Sequence, residues 1–188
     1  MSLYVIAIGG STRPGSATEK ALSCVLAAAS ADGAEVELFG ADALRPLPIY
    51  APENKERTAE ATRLVEAMRR ADGIVIASPG YHGTVSGLVK NALDYAEDLA
   101  KADRPYFDGR AVGCVANAWG WQAAVSTLGT LRTIAHSLRG WPTPMGAALN
   151  TSTPLFDESG ACTDRSSAFQ LETIGKQVAG FARAFGSR

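Results

Sequence analysis

The chain has 188 residues, of which 46% are hydrophobic and 20% charged, a composition ordinary for a soluble globular protein. This length suits one domain over residues 1–188, with a core that needs no disulfides or structural metal. The net charge of −1 gives no electrostatic reason to expect nucleic acid or an anionic membrane as a partner.

The cysteines and the start of the chain indicate a cytoplasmic protein. Cys24, Cys114 and Cys162 are odd in number and widely spaced, which favours reduced thiols over a disulfide framework or a zinc site. Residues 1–8 lack the basic start and long apolar run of a signal peptide, and no apolar run reaches transmembrane length. We therefore expect no metal site and no membrane partner.

Strand-like and helical patterns alternate along the chain. The continuous apolar run Leu3–Gly9 predicts a first strand covered on both faces. Further strands are predicted at 35–39, 74–77 and 111–116 and within 145–149. The intervening helices are predicted from apolar stripes, which are Leu22, Val25, Leu26 and Ala29; Ala61, Leu64, Val65 and Met68; Leu88, Ala92, Tyr95 and Leu99; Val125, Leu128, Ala135 and Leu138; and Ile174, Val178, Phe181 and Phe185. Five βα units predict an α/β fold with a doubly wound, five-stranded parallel sheet and helices on both faces.

The loop after the first strand has the chemistry of a phosphate site. Backbone N–H groups at a helix N-terminus attract anions, and Arg13 can form a two-pronged contact with phosphate oxygens. The loop and the helix start also carry the hydroxyls of Ser11, Thr12, Ser16 and Thr18. Ser16 replaces the lysine of the Walker pattern, and the glycine spacing does not match the dinucleotide fingerprint. The loop therefore favours a terminal monophosphate, with a plain helix cap at Ser16 or Thr18 as the alternative.

The stretch 78–95 follows the third predicted strand and has a different character. It is rich in glycine, aromatic and hydroxyl residues, which suit the edge of a planar, hydrogen-bonding ring. In open α/β sheets, loops at the carboxyl ends of the strands bind the ligand. A ring site and a phosphate site on such loops together describe a flavin nucleotide.

Residues 9–20 and 78–95 resemble the NAD(P)H-dependent FMN reductase family, whose fold is flavodoxin-like. Residues 79–94 resemble the family segment P-x-Y-[NH]-G-[ST]…G-x-[LV]-K-N-[AL]-[IL]-D. The resemblance implies bound FMN, reduction by NADPH or NADH, a small-molecule electron acceptor, and a homodimer or dimer of dimers. No catalytic side chain is expected, because the flavin itself carries the hydride.

The resemblance also implies the cofactor-binding residues. The phosphate loop contributes Ser11, Thr12, Arg13 and Ser16, and the ring loop contributes Pro79, Gly80, Tyr81, His82 and Gly83. The loop after the fourth strand contributes Asn117, Trp119 and Gly120. The chain departs from its relatives at Gly80, where they often have Glu, and in this third loop, where they commonly have a run of glycines. Trp119 or Trp121 is expected to cover the flavin or to line the acceptor pocket.

The sequence leaves an alternative function open, and it leaves the electron acceptor undecided. A flavodoxin-like electron carrier would bind FMN without reacting with nicotinamide. Lys90, Asn91 and Asp94 resemble catalytic polar groups, but on a helix we expect them to be structural. The sequence does not choose among free flavin, a quinone, an azo compound, a metal oxyanion and oxygen as the acceptor.

Overall fold

The computed structural model describes residues 3–185, so residues 1–2 and 186–188 of the predicted domain lie outside the described residues. The strands are β1 (Leu3–Gly9), β2 (Ala34–Phe39), β3 (Gly73–Tyr81), β4 (Thr84–Val85), β5 (Ala111–Ala118), β6 (Trp141–Pro142) and β7 (Ala147–Asn150). The helices are α1 (Ala17–Ala31), α2 (Ala41–Leu44), α3 (Ala59–Arg70), α4 (Gly87–Asp94), α5 (Trp121–Ser137) and α6 (Arg165–Phe185), with a 3-10 helix at Tyr95–Leu99.

The sheet confirms the predicted α/β class and its parallel core. The strands β2, β1, β3 and β5 lie side by side in that order, and all of these pairs are parallel. The fifth position is shared by two short strands, since β6 pairs with the start of β5 and β7 with its end. Pro144 lies between them and has no N–H to donate to β5, which explains why the predicted fifth strand is divided. With the small antiparallel strand β4 beside β3, residues 3–185 form seven strands where five were predicted.

The core lies on both faces of the sheet, as the continuous apolar strands predicted. Side chains of a strand alternate between faces, so Ile6 and Ile74 pack on one side and Val5 and Val75 on the other. The first side is covered by α3, α4 and α5, and the second by α1 and α6. This arrangement leaves the carboxyl-end edge of the sheet open between the two helical layers.

The predicted apolar stripe of α5 was wrong in part. Val125 is 58% exposed, whereas Ala124, Thr127, Leu131 and Ala135 form the buried face. A rotation of about 100° separates neighbouring residues of a helix, so the two stripes point in different directions. The small residues Ala124 and Thr127 face inward because α5 approaches the backbone of β3 closely near Gly80.

The polar residues of α4 make the structural contacts expected of them. Lys90 pairs with Asp94 one turn later at 2.6 Å. The Asn91 carboxamide accepts a hydrogen bond from the Tyr50 N–H at 2.8 Å and donates one to the Pro48 carbonyl at 2.9 Å. Asn91 therefore attaches α4 to the loop that contains Pro48 and Tyr50, which precedes α3.

The three tryptophans do not lie together. Trp119 follows the carboxyl end of β5, whereas Trp141 pairs with Ala111 at the opposite end of that strand. Eight residues of extended chain separate the two ends, roughly 26 Å. Trp141 instead contacts Phe181 and Phe185 of α6, with ring centroids 6.1 and 6.3 Å away.

Candidate functional site

A cleft of about 570 Å³ opens at the carboxyl ends of β1, β3 and β5. Its volume is within the roughly 300–1,000 Å³ common for small-ligand pockets. The fold brings together eight of the residues predicted from the sequence, and all of them line this cleft: Ser11, Arg13, Ser16, Pro79, Gly80, Tyr81, Asn117 and Trp119. The loops identified as a phosphate site and a ring site are thus parts of one cavity.

The other four predicted residues do not line the cleft. Thr12 is exposed on the first loop. His82 and Gly83 form the tip of the β3–β4 hairpin with φ of 51° and 89°, as a two-residue turn requires. Gly120 precedes α5, and its N–H donates to the Asn150 carboxamide oxygen at 2.9 Å. The described positions of His82, Gly83 and Gly120 are explained by the turns that they form.

The first loop presents a cation and the start of a helix to the cleft. Ser16 caps α1, since its hydroxyl accepts the Glu19 N–H at 3.4 Å. The first N–H groups of α1 have no partner within the helix and carry the positive end of its dipole. The Arg13 guanidinium is exposed and forms no ion pair within residues 3–185. The capping interpretation of Ser16 is therefore correct, and the remaining donors stay available to an anion.

Glu19 holds this loop in place. Its carboxylate accepts the Gly15 N–H at 2.6 Å and also the N–H of Ala41 at the start of α2. Because Gly15 donates to Glu19 and the Ser11 hydroxyl donates to the Arg13 carbonyl at 3.3 Å, the donors of this loop that remain for an anion are the start of α1 and the Arg13 guanidinium. The loop is tied to β2 and α2 as well as to its own helix.

The ring loop is held against α5 by hydroxyl contacts. Ser126 donates to the Gly83 carbonyl at 2.9 Å, and Thr127 donates to the Thr84 carbonyl at 3.4 Å. Within the loop itself, the Ser78 hydroxyl accepts the Ser86 N–H at 2.8 Å. A Cβ at Gly80 would lie 2.6 Å from the Thr127 hydroxyl oxygen and 3.3 Å from the Ala123 carbonyl. This close approach of α5 explains physically why the position carries glycine and has no space for glutamate.

The third loop is joined to the first across the cleft. The Thr18 hydroxyl donates to the Asn117 carboxamide oxygen at 2.6 Å, and both side chains are buried. Two residues beyond Asn117, the Trp119 side chain is 80% exposed at the mouth of the cleft. This loop therefore supplies one inward-facing amide and one outward-facing aromatic ring.

Sequence reasoning missed Lys20 and the segment after β7. Lys20 lies one turn after Ser16 on the same side of α1, and it donates to the Asp157 carbonyl at 2.9 Å. Thr151, Thr153 and residues 154–156 form another wall of the cleft. The signal for that wall was present, because it follows the last parallel strand and such loops meet at the same edge.

The composition of the cleft suits a flavin nucleotide. Among the described residues that line it are two cations, Arg13 and Lys20, and no carboxylate. Pro79, Tyr81 and Trp119 provide flat surface at the other end. A ligand with a phosphate at one end and a planar ring at the other matches this distribution of charge and shape.

The family model described as NADPH-dependent FMN reductase matches residues 3–153. The chain belongs to this family. The match confirms the family predicted from the sequence, and with it the flavin and nicotinamide cofactors that the family description names. For this FMN reductase family member, the matched range includes the first three loops of the cleft and ends inside the wall after β7.

Curated relatives of this family member are azoreductases. It is 34% identical over 108 residues to an FMN-dependent NADPH-azoreductase of Staphylococcus aureus, a region covering 57% of the chain and 54% of the relative. It is 32% identical over 108 residues to an NADPH azoreductase of Bacillus sp. strain OY1-2, covering 57% of each. The chain thus spans little more than half the length of the curated relatives that it matches.

Solved structures with the same fold include two flavin oxidoreductases. FerB, a flavoenzyme NAD(P)H:(acceptor) oxidoreductase from Paracoccus denitrificans, superposes with a TM-score of 0.80 at 18% identity, over 97% of this chain and 98% of that one. The apo form of an NADH:FMN oxidoreductase, EmoB, gives 0.73 at 22% identity over 100% and 92%. These similarities confirm the flavodoxin-like fold.

Proposed function

We propose that the chain is an NAD(P)H-dependent FMN reductase that passes electrons from nicotinamide through FMN to a small acceptor. The observation that best supports this proposal is the cleft at the strand ends, whose described lining residues include two cations and no carboxylate. It combines the phosphate loop and the ring loop in one cavity, within a chain of the FMN reductase family.

The phosphate of FMN would be held by Ser11, Arg13 and the start of α1 at Ser16. A planar guanidinium can form two parallel hydrogen bonds with phosphate oxygens, and the helix dipole favours the same charge. Thr12 is an exposed neighbour on this loop and remains a predicted contact. The ring would lie against Pro79, Gly80 and Tyr81.

When bound, FMN supplies the hydride-accepting chemistry, and the protein supplies binding, orientation and electrostatics. The hydrogen bonds from α5 to the β3–β4 hairpin fix the backbone that borders the ring. Because Gly80 has no side chain, α5 can approach the backbone of the loop that would border the ring. His82 at the hairpin tip is proposed to act through the turn, with no proton transfer assigned to it.

The acceptor would approach from the mouth of the cleft. Trp119 and Tyr81 are exposed there, at 80% and 52%, and offer faces on which a planar aromatic compound can stack. Azo compounds are the acceptors indicated by the names of the curated relatives. For this chain we propose a planar acceptor of the flavin, quinone or azo type.

A second copy of this chain is the partner that we propose, as a homodimer or a dimer of dimers. The mouth of the cleft and the adjoining face of α5 expose Trp119, Trp121 and Val125. Aromatic residues of this kind are enriched at the centres of protein interfaces. Because the patch adjoins the cleft, a partner on it would border the acceptor site.

A cytoplasmic location is also part of the proposal. The three cysteines are free thiols, and burial raises the pKa of Cys24, of Cys162 and of Cys114, the last to about 12. Protonated thiols of this kind suit a reducing compartment. Within residues 3–185, no helix combines the length and the apolarity that crossing a membrane requires.

Anaerobic reduction tests the reductase against the electron-carrier alternative. The purified chain with FMN should be yellow and should bleach when NADPH or NADH is added without oxygen. Chelator should leave the bleaching rate unchanged, because no metal takes part in the proposal. A preparation that binds FMN and stays yellow with both nicotinamides would favour the carrier, and one that binds no FMN would contradict both.

A further inference from the structure

We propose that Asn117 binds the ribityl chain of FMN, and that Thr18 orients the Asn117 carboxamide for this contact. The inference rests on the proposed function, since it assigns a part of the same ligand. It concerns the ribityl chain that joins the phosphate to the ring, and the family resemblance assigned no residue to that part of FMN. Its basis is the position of Asn117, its burial and its one hydrogen bond.

Asn117 lies between the two ends of the cleft. On one side it contacts Thr18, which is two residues after the phosphate-loop residue Ser16. On the other side it is the parallel-sheet partner of Pro79, the first residue of the ring loop. A ligand with its phosphate at Ser16 and its ring at Pro79 must pass Asn117 with the chain that joins them.

The Asn117 carboxamide has a donor that the protein does not use. The side chain is only 7% exposed, and its oxygen accepts the Thr18 hydroxyl at 2.6 Å. Its amide nitrogen has no hydrogen-bond partner within residues 3–185. Every fully buried polar side-chain atom in that range has a partner, so this nitrogen must open onto space. The cleft is the space that Asn117 lines.

Thr18 determines which end of the carboxamide faces the cleft. A carboxamide has an acceptor oxygen and a donor nitrogen, and an Asn without a local partner can present either. The Thr18 side chain is 1% exposed, and its hydroxyl donates to the Asn117 oxygen. This bond turns the nitrogen outward, where its two N–H groups can donate to the hydroxyl oxygens of a polyol chain. Thr18 is therefore a positioning residue that acts through Asn117.

Three flavins separate the parts of the ligand. Lumiflavin has the ring alone, riboflavin adds the ribityl chain, and FMN adds the phosphate. We expect Asn117→Ala to weaken riboflavin and FMN by about 3- to 10-fold, the range for one hydrogen bond, and to leave lumiflavin unchanged. Dissociation constants would be measured by quenching of flavin fluorescence on the full chain, without nicotinamide.

Asn117→Asp is the matched variant, because it keeps the oxygen that accepts from Thr18 and loses the N–H groups. Riboflavin should weaken as it does with Asn117→Ala, and FMN should weaken further because a carboxylate repels the phosphate. Thermal unfolding of each variant would show that it is folded. Equal losses for lumiflavin and riboflavin would assign Asn117 to the ring, and a loss confined to FMN would assign it to the phosphate. Either result, or no loss at all, would overturn the inference.

Thr18 is tested by one substitution that removes its hydroxyl and one that keeps it. Thr18→Val should weaken riboflavin and FMN by a smaller factor than Asn117→Ala, whereas Thr18→Ser should bind like the unmodified chain. In the Asn117→Ala background, Thr18→Val should have no further effect on binding. An undiminished effect there would show that Thr18 acts independently, which would overturn its positioning role. An unmodified chain that binds none of the three flavins would instead contradict the proposed function itself.

Discussion

At the scale of single residues, Arg13 is the side chain on which we expect phosphate recognition to depend most. It lies on a loop that Glu19 and Ser11 hold, and its own guanidinium pairs with no carboxylate in residues 3–185. A helix cap at Ser16 does not require an arginine three residues earlier. The free charge at the mouth of an anion-binding loop therefore indicates a ligand contact.

Arg13→Ala should weaken FMN binding by about 1.5–3 kcal/mol, the range for a hydrogen bond to a charged group. This corresponds to roughly a ten- to hundredfold rise in the dissociation constant. Riboflavin, which has no phosphate, should bind almost as before, so the variant loses most of its preference for FMN. Fluorescence titration of both flavins checks this expectation.

Arg13→Lys provides the control, since it keeps the charge and loses the planar fork. It should recover part of the lost affinity for FMN. If Arg13→Ala weakened FMN and riboflavin equally, Arg13 would support the fold or the ring pocket, and the phosphate assignment of this loop would be wrong.

At the scale of elements, an ion pair between Arg57 and Asp98 attaches the segment before α3 to the 3-10 helix, and aromatic rings pack beside it. The Arg57 guanidinium contacts Asp98 with two nitrogens, at 2.6 and 2.8 Å, and lies about 5 Å from the Tyr50 ring centroid. The Tyr50 hydroxyl donates to the same carboxylate at 3.1 Å. Asn91 of α4 also accepts the Tyr50 N–H. The segment before α3, α4 and the 3-10 helix are therefore joined into one unit.

This unit should make stability depend on acid pH. The hydrogen bonds from Arg57 hold the pKa of Asp98 below its usual value of 3.8. A lowered carboxyl pKa in the folded state contributes stability above the unfolded pKa, and that contribution is lost as the pH falls through the folded one. Asp98→Asn should therefore lower the free energy of unfolding at pH 7 by about 1 kcal/mol, a value between exposed and buried pairs.

Denaturant unfolding at several pH values between 7 and 2 would measure this dependence. The difference between the unmodified chain and Asp98→Asn should begin to narrow below about pH 4, where the Asp98 carboxyl of the unfolded chain becomes protonated, and should be lost as the pH falls through the lower pKa of the folded state. Glu172→Gln is a suitable control, because Glu172 forms an exposed pair with Lys176 that should contribute little at any pH. A constant difference across the range would show that the Asp98 pair carries no pH-linked stability.

At the scale of the whole molecule, one group of exposed apolar residues lies at the cleft and the adjoining face of α5, whereas Ile49, Trp141, Phe169 and Phe185 are exposed elsewhere. Trp119, Trp121 and Val125 are exposed there without a described partner surface to cover them. In α4 and the 3-10 helix, by contrast, Val89, Ala92, Leu93 and Tyr95 are buried in the protein's own core, so these side chains are not available to a partner. The face of α5 is therefore the surface that we expect to pair.

Light scattering at micromolar concentration should give at least twice the chain mass of 19.6 kDa. A double substitution of Trp121 and Val125 to Asp should shift the mass toward the monomer, because it buries charge in the proposed interface. Phe169→Asp is the matched control, since Phe169 is 63% exposed on α6, on the other side of the sheet. An unmodified chain that is monomeric and fully active would refute the proposed dimer.

Much of the fold was predictable because the pattern of apolar residues within each segment indicates its secondary structure. Continuous apolar runs marked β1, β3 and β5, and every residue of the stripes predicted for α1 and α3 is buried. The prediction of α5 was wrong in part because hydrophobicity favoured Val125, whereas the helix packs with Ala124 and Thr127 where the Gly80 backbone is close. Size complementarity across elements is not contained in the periodicity of one helix.

The sequence by itself determined the fold class, the family and two of the loops that line the cleft, because these depend on local composition and on a contiguous motif. Only the tertiary structure brought Thr18 to Asn117, added Lys20 and residues 154–156 to the cleft, and separated Trp141 from Trp119. It also showed that the amide nitrogen of Asn117 has no hydrogen-bond partner within residues 3–185 and that Gly15 donates to Glu19. The physical reason is that hydrogen bonds between distant segments depend on side-chain positions within a few tenths of an ångström, which only the packed sheet and helices define.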